Sequence, residues 1–312
     1  MEDWEGYWEE DKFMKIVSGS SNKPLAEKIA KNLNTSLSGV EIFVFPDKER
    51  RIRILDKVLD SNCAVVQAAD TPADQKYMEL FFLVDGLKRS GAESVTAVIP
   101  YLGYQRQDHI FREGEAVSLQ VIVETLEAVG VDKIITVDLH TIKIPELFKI
   151  PIIHLSALSI FAEKIKEIEN NLRKIVLVSP DMGGIRRIKI LSEMLGNCSY
   201  ATINKDRDLS TGTVSAKEIE GEVDGKIAII VDDMISTGNT ILTAAKLLKE
   251  KGAEKIYVFA THGIFSDDAG KNLQNNLIGK VFVTDSVFIS KEKCFEKLEV
   301  LTISTLIANN LK

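Results

Sequence analysis

Cysteine is scarce in this chain: three residues in 312, Cys63, Cys198 and Cys294, with no C-x-x-C spacing. That excludes a disulfide framework and a cysteine-built zinc site, and it fits the reducing cytoplasm. Long apolar runs are missing too. No stretch approaches the ~20 residues needed to cross a bilayer, so no membrane association is expected. Basic residues are in deficit, with 39 Lys and Arg against 46 Asp and Glu and a net charge of −7. This balance argues against a general nucleic-acid binder, although local cationic clusters can still hold small anions. The pattern G-x-x-x-x-G-K-[ST] does not occur, so any ATP site is not a P-loop.

What is present is ordinary for a globular protein: 45% hydrophobic and 27% charged residues over a length that suggests two domains. Residues 1–12 read as an appended acidic tail bearing Trp4 and Trp8. Beyond them, apolar strand-like runs at 13–18, 40–45, 63–69, 94–100, 133–137, 175–179, 200–203, 227–232, 255–260 and 280–284 dominate. Amphipathic helical patterns at 78–89, 118–129, 159–171, 184–195 and 242–251 lie between several of them. Wholly apolar strands alternating with helices predict parallel sheets covered on both faces. The sequence also repeats itself. Residues 87–95, L-K-R-S-G-A-E-S-V, return as L-K-E-K-G-A-E-K-I at 248–256, a helix ending at glycine before a strand. Two related α/β domains are therefore expected, with the crossing near 150–156.

The chemistry concentrates at strand ends, where open α/β sheets place ligands. In I-I-V-D-D-M-I-S-T-G-N-T, residues 229–240, an apolar strand ends in Asp232 and Asp233. Ser236, Thr237, Gly238, Asn239 and Thr240 then open a helix. Backbone N–H groups and hydroxyls at a helix N-terminus favour a phosphate, whereas the carboxylates suit sugar hydroxyls, directly or through Mg2+. Four further clusters follow strands. Arg106, Gln107 and Asp108 sit after the strand ending at Pro100, with groups suited to polyphosphate and a polar base. Asp138 and His140 close the next strand. Asp181, Gly183 and Gly184 form a second backbone anion cradle. Lys205 and Arg207 occupy a polar loop.

As a set, T-A-V-I-P-Y-x-G-Y-x-R-Q-D at 96–108, T-V-D-L-H at 136–140, V-S-P-D-x-G-G at 178–184, V-D-D-M-I-x-T-G-x-T at 231–240 and A-T-H-x-I-F-S at 260–266 resemble the ribose-phosphate diphosphokinase (PRPP synthetase) family. The resemblance runs from about residue 14 to the end. It implies two related type I phosphoribosyltransferase-like domains, each a mainly parallel sheet flanked by helices. One spans 13–155 on the ATP side. The other spans 156–312 on the ribose 5-phosphate side, with the last residues packing back on the first. It further implies transfer of the β,γ-diphosphoryl group of ATP to O1 of ribose 5-phosphate, with Mg2+ as cofactor, and self-association into homo-oligomers, often hexamers built from dimers.

Carried over by position, Asp232 and Asp233 face the ribose hydroxyls and 236–240 bind the 5-phosphate. Asp181, Gly183 and Gly184 match the diphosphate loop, while His140 and Asp181 match metal-site residues. Phe45, Asp47 and Glu49 match the loop that reads adenine, joined by Arg106, Gln107 and Asp108 around ATP. Lys205 and Arg207 match the catalytic loop that closes over the phosphates. The chain departs from the family pattern at Lys48, where F-x-D-G-E has glycine. It departs again at Ser236, where many members carry aspartate, and at Asn239, where glycine is common. A phosphoribosyltransferase would explain 232–240 but not a domain carrying Arg106, Gln107 and Asp108. A non-catalytic paralogue would be favoured by loss of His140, Asp181, Lys205 or Arg207, and all four are present.

Overall fold

The computed structural model describes residues 14–207 and 214–312; the tail with Trp4 and Trp8 and residues 208–213 lie outside the described residues. For Lys205 and Arg207 only the backbone is described. Contacts divide the chain into two compact units. The first takes residues through 136 together with 141–153 and 304–312, and the second takes 137–140 and 154–303. The chain therefore passes between units more than once.

The first unit runs β1 (Lys15–Ser18), α1 (Lys23–Asn32), β2 (Val40–Val44), β3 (Arg50–Ile54), β4 (Asn62–Val66), α2 (Ala73–Arg89), β5 (Ser94–Ile99), α3 (Ser118–Ala128), β6 (Lys133–Val137) and β7 (Ile152–Leu155). Its main sheet has the order β1-β4-β5-β6-β7, while β2 and β3 form a separate two-stranded sheet. The second unit continues with α4 (Leu158–Ile168), β8 (Ile175–Ser179), α5 (Ile185–Met194), β9 (Ser199–Arg207), β10 (Val214–Glu220), β11 (Ile227–Ile235), α6 (Asn239–Glu250), β12 (Lys255–Gly263), α7 (Ala269–Leu273), β13 (Lys280–Thr284) and β14 (Leu298–Leu301). Its sheet order is β10-β9-β8-β11-β12-β13-β14. A last helix, α8 (Ser304–Ala308), packs on α1, where Asn32 Nδ2 donates to Ser304 Oγ at 3.1 Å and to Thr305 Oγ1 at 3.2 Å.

The repeat is topological as well as textual. The order β1-β4-β5-β6-β7 of the first unit is matched strand for strand by β8-β11-β12-β13-β14 of the second. An antiparallel pair stands at the same point of each copy, β2–β3 in one and β9–β10 in the other. The repeated L-K-x-x-G-A-E marks one helix end used twice. Gly91 and Gly252 adopt φ of +85° and +88°, and the following amides, Ala92 N–H and Ala253 N–H, return to Leu87 O and Leu248 O at 3.1 and 3.0 Å. That left-handed C-terminal stop favours glycine.

The central strands are buried on both faces, as wholly apolar runs require: β8 has no accessible residue and β5 is buried after its first. In the second unit the sheet is backed by Phe259 stacked on Phe282 at 4.5 Å, with Phe161 edge-on to Phe259 at 5.4 Å. The main sheets are mainly parallel, as expected; β9–β10 is an antiparallel pair at the edge of one, and β2–β3 is a separate antiparallel pair. Ile152–Leu155 form β7, and the chain changes unit between Ile153 and His154. Among the described residues no helix is long and apolar enough to cross a membrane.

Candidate active site

In the second unit, β11 carries the acidic pair to the sheet's C-terminal edge, and the turn 236–238 delivers the chain into α6. Gly238 sits at the N-cap with φ +76°, and α6 receives no side-chain cap. Its first-turn amides therefore point at the space beyond the turn, the arrangement that attracts an anion. A left-handed turn here needs glycine; a Cβ at Gly238 would also lie 3.3 Å from Leu273 Cγ. The turn is fixed from outside. Ser266 N–H donates to Ser236 O at 3.1 Å, and Asn272 Nδ2 donates to Thr237 O and Asn239 Oδ1, both at 2.9 Å.

Asp232 and Asp233 do not behave alike. Burial, then the charge of Asp233, pushes the Asp232 carboxyl well above the usual carboxylate range. At Asp233 burial works in the same direction, but the hydrogen bond from His140 and the charge of Arg187 outweigh it and hold the carboxyl below that range. The geometry explains the asymmetry. His140 Nδ1 lies 2.8 Å from Asp233 Oδ2, and Arg187 of α5 straddles the pair, 3.7 Å from Asp232 Oδ1 and 3.8 Å from Asp233 Oδ1. A ring donating from Nδ1 to a carboxylate carries its lone pair on Nε2, the tautomer a cation or its bound water needs.

His140 is aimed by a hydrogen-bonded scaffold around the buried Asp138. The Asp138 carboxylate accepts from Ser156 Oγ at 2.8 Å, Ala157 N–H at 2.9 Å and Thr261 Oγ1 at 2.6 Å. Leu139 N–H donates to His154 Nε2 at 2.9 Å. Burial, reinforced by Arg186 and Arg187, lowers the pKa of His154 and keeps it a neutral acceptor. Asp138 is therefore a structural acid that fixes the turn before His140.

The β8–α5 turn carries Asp181, Gly183 and Gly184. Asp181 Oδ1 accepts from Gly183 N–H at 3.0 Å, and Ser179 Oγ donates to Asp181 O at 2.6 Å. A Cβ on Gly184 would stand 2.4 Å from Ser179 Oγ, so this turn closes only around glycine. The charge of Asp181 also reaches Asp232, raising its pKa further. Lys205 and Arg207, expected in a polar loop, lie in β9, where Arg207 pairs with Val214 and Lys205 with Ala216 at the end of the β9–β10 pair that residues 208–213 connect. In the second unit the structure thus gathers Asp181, His140, Asp232 and Asp233 and adds Arg187.

The remaining predicted residues occupy two loops of the first unit. Phe45, Asp47 and Glu49 form the β2–β3 turn, closed by Phe45 N–H to Glu49 O at 2.8 Å and Glu49 N–H to Asp47 Oδ1 at 3.2 Å. Lys48 adopts φ +76°, the left-handed conformation that glycine takes most easily. Phe45 is half-exposed and meets Phe43 edge-on at 4.9 Å, with the Arg51 guanidinium over both rings. Arg106 and Gln107 lie exposed after β5. Asp108 accepts from His109 Nδ1 at 2.6 Å and Thr141 Oγ1 at 3.0 Å; against partial burial, these bonds lower its pKa.

This geometry has close counterparts. Residues 14–130 match the model of the N-terminal domain of ribose phosphate pyrophosphokinase, and 201–312 match that of the phosphoribosyl synthetase-associated domain. The ribose-phosphate pyrophosphokinase of Fusobacterium nucleatum is 36% identical over 296 residues, 95% of this chain and 93% of that protein. Its counterpart in Thermotoga maritima is 37% identical over 295 residues, 94% of this chain and 92% of that one. The chain belongs to the ribose-phosphate pyrophosphokinase family. A solved structure, phosphoribosylpyrophosphate synthetase from Mycobacterium smegmatis, matches with a TM-score of 0.90 at 34% identity, over 96% of this chain and 98% of that chain. The paired phosphoribosyltransferase-like α/β architecture is that of this family.

Arg187 escaped the sequence reading. Its signal is positional: it follows Gly183 and Gly184 by about one helical turn, which brings it over the end of β11. Asn272, which braces the β11–α6 turn from α7, carries no local motif and emerges only from the tertiary fold.

Proposed function

We propose that the β11–α6 turn and its carboxylate pair are the ribose 5-phosphate half-site of this ATP-dependent ribose-phosphate diphosphokinase. The enzyme transfers the β,γ-diphosphoryl group of ATP to O1 of ribose 5-phosphate, giving 5-phosphoribosyl 1-diphosphate and AMP. The reading is carried by Gly238: its left-handed turn leaves the α6 amides for the 5-phosphate and sets Asp232 and Asp233 one strand-end away for the ribose hydroxyls.

In the reaction, O1 attacks the β-phosphorus. The bond from that phosphorus to the oxygen bridging it to the α-phosphate breaks, and the O1 proton is lost. The chain's work is positioning and charge. Asp232 and Asp233 orient the sugar by accepting from its hydroxyls. Asp181, Gly183 and Gly184 form the diphosphate loop, with the Gly183 N–H exchanging Asp181 Oδ1 for a phosphate oxygen. Phe45, Asp47 and Glu49, with Arg106, Gln107 and Asp108, hold the nucleotide. Lys205 and Arg207 bring cations to the transferring group. A carboxylate with a carboxylate-oriented imidazole suits a hard divalent ion, and among the described residues no group of three or more His, Cys, Asp or Glu encloses a metal. Mg2+ fits this set, because it keeps waters and takes its other ligands from substrate phosphates. His140 and Asp181 would hold it, directly or through water, and it would supply neutralisation of phosphate charge. The enzyme works in the cytoplasm as a dimer-based homo-oligomer, a reading supported by the family resemblance and by free thiols at Cys63, Cys198 and Cys294.

The test is product analysis with a binding variant. Wild-type protein given ATP, Mg2+ and ribose 5-phosphate should release AMP and 5-phosphoribosyl 1-diphosphate in equal amounts. Thr237→Val should raise the ribose 5-phosphate KM about tenfold, the worth of one hydrogen bond to a charged group, with the ATP KM unmoved. Release of ADP, or a Thr237→Val effect on ATP alone, overturns the assignment.

A further inference from the structure

The β2–β3 pair is a two-stranded sheet with no ladder to the main sheet of its unit. Such a hairpin has little stability of its own, so its packing must come from side chains. Contacts at both ends tie β3 to α2. At the far end, Gly86 makes room for Ile54, whose Cγ1 would lie 3.4 Å from a Cβ at that position. At the loop end, Arg50 Nε donates to Glu79 Oε2 at 3.2 Å, and Arg50 Nη2 donates to Gln75 Oε1 at 3.3 Å.

Glu79 is unusual. It is a glutamate on α2 with 0% exposure. Its carboxylate accepts from Ser20 N–H at 2.6 Å, Ser20 Oγ at 2.9 Å and Gln67 Nε2 at 2.9 Å, as well as from Arg50. Gln67, also 0% exposed, accepts from Ser21 N–H at 3.0 Å through its other amide atom. A carboxylate wrapped in donors from three separate segments cannot move without losing several of them. It is a fixed point of the unit. Arg50 links that point to the loop, because it directly follows Glu49 and pairs with Val44 across the base of the turn. The next residue, Arg51, covers the rings of Phe43 and Phe45.

We infer that the pair of buried Glu79 and partly buried Arg50 is a positioning device that holds the Phe45–Asp47–Glu49 turn in its nucleotide-reading geometry. The inference rests on the reading of that turn as the adenine loop. Arg50 and Glu79 touch no substrate in this scheme; they lower the ordering cost that ATP binding would otherwise carry. Loss of the link therefore weakens ATP binding and leaves ribose 5-phosphate binding and the chemical step alone.

Steady-state kinetics of Arg50→Gln, Arg50→Lys, Glu79→Gln, the Arg50→Gln/Glu79→Gln double variant and Phe45→Ala test it, alongside thermal unfolding. Arg50→Gln is the principal variant, since it leaves Glu79 its Ser20 and Gln67 donors. It should raise the ATP KM about tenfold, with kcat and the ribose 5-phosphate KM within about twofold of wild type. Arg50→Lys should fall between, and the double variant should be no worse than the worse single one. An unchanged ATP KM in Arg50→Gln while Phe45→Ala raises it overturns the positioning role, as does an equal rise in both KM values. An ATP KM unmoved by Phe45→Ala refutes the adenine-loop reading itself, and the proposal falls with it.

Discussion

Arg187 is the cation that lets two adjacent carboxylates share a nearly buried strand end, and Arg187→Met measures its worth. Arg187, Asp232 and Asp233 have side-chain exposures of 15%, 16% and 7%, and the charges stand 3.7 and 3.8 Å apart. At an effective dielectric near 20, each such contact is worth about 4 kcal/mol of Coulomb attraction, most of it offset by desolvation. Removing one partner of a buried set leaves the remainder uncompensated and costs about 3 kcal/mol. The loss depends on pH. Asp232 already sits above its unfolded value, so its contribution is full below about pH 4 and fades as pH rises through its folded value. Without Arg187 that folded value climbs further, and stability continues to fall over a wider alkaline range. Asp233 lies below its unfolded value and stabilises the fold above about pH 4; part of that gain also disappears with the cation. Urea unfolding in EDTA at pH 5, 6.5 and 8 should give a deficit of about 3 kcal/mol at pH 8 that does not grow as pH falls. A deficit that grows toward pH 5, or one below about 1 kcal/mol throughout, would refute the electrostatic reasoning.

Three other substitutions probe separate links. Lys205→Ala should lower kcat by at least ~10²-fold with the ribose 5-phosphate KM nearly unchanged, as for loss of a well-aimed charge in the transition state; near-normal turnover removes Lys205 from the chemistry. Lys48→Gly should be more stable than Lys48→Val by about 1–2 kcal/mol, because position 48 holds φ +76°; equal unfolding midpoints contradict the left-handed turn. Gly184→Ala should destabilise the fold by about 1–3 kcal/mol, since its methyl would meet Ser179 Oγ at 2.4 Å while that hydroxyl is held by Asp181 O. Wild-type stability in that variant would mean the β8–α5 turn has slack.

The legible parts of this molecule were those where several local signals agree. An apolar run, two carboxylates, a glycine and a helical pattern identify the β11–α6 turn without tertiary information. The repeated helix–glycine–strand phrase betrayed the doubled topology, because both copies need the same left-handed stop at Gly91 and Gly252. Less was readable where stability comes from elsewhere. The strand β3, R-R-I-R-I, carries three cations in five residues and holds its place through Glu79 and Gly86 on a distant helix. Asp138 looked like a candidate acid beside His140, yet its three donors come from 156, 157 and 261. Arg187 reads in isolation as one of several basic residues on α5; only the packing of α5 over β11 gives it two carboxylates.

The most direct test is a crystal grown with ribose 5-phosphate and Mg2+. The account predicts the 5-phosphate on the amides of 237–240 and the sugar hydroxyls within hydrogen-bond reach of Asp232 or Asp233. A sugar seated instead at 181–184, or anywhere in the first unit, would contradict it.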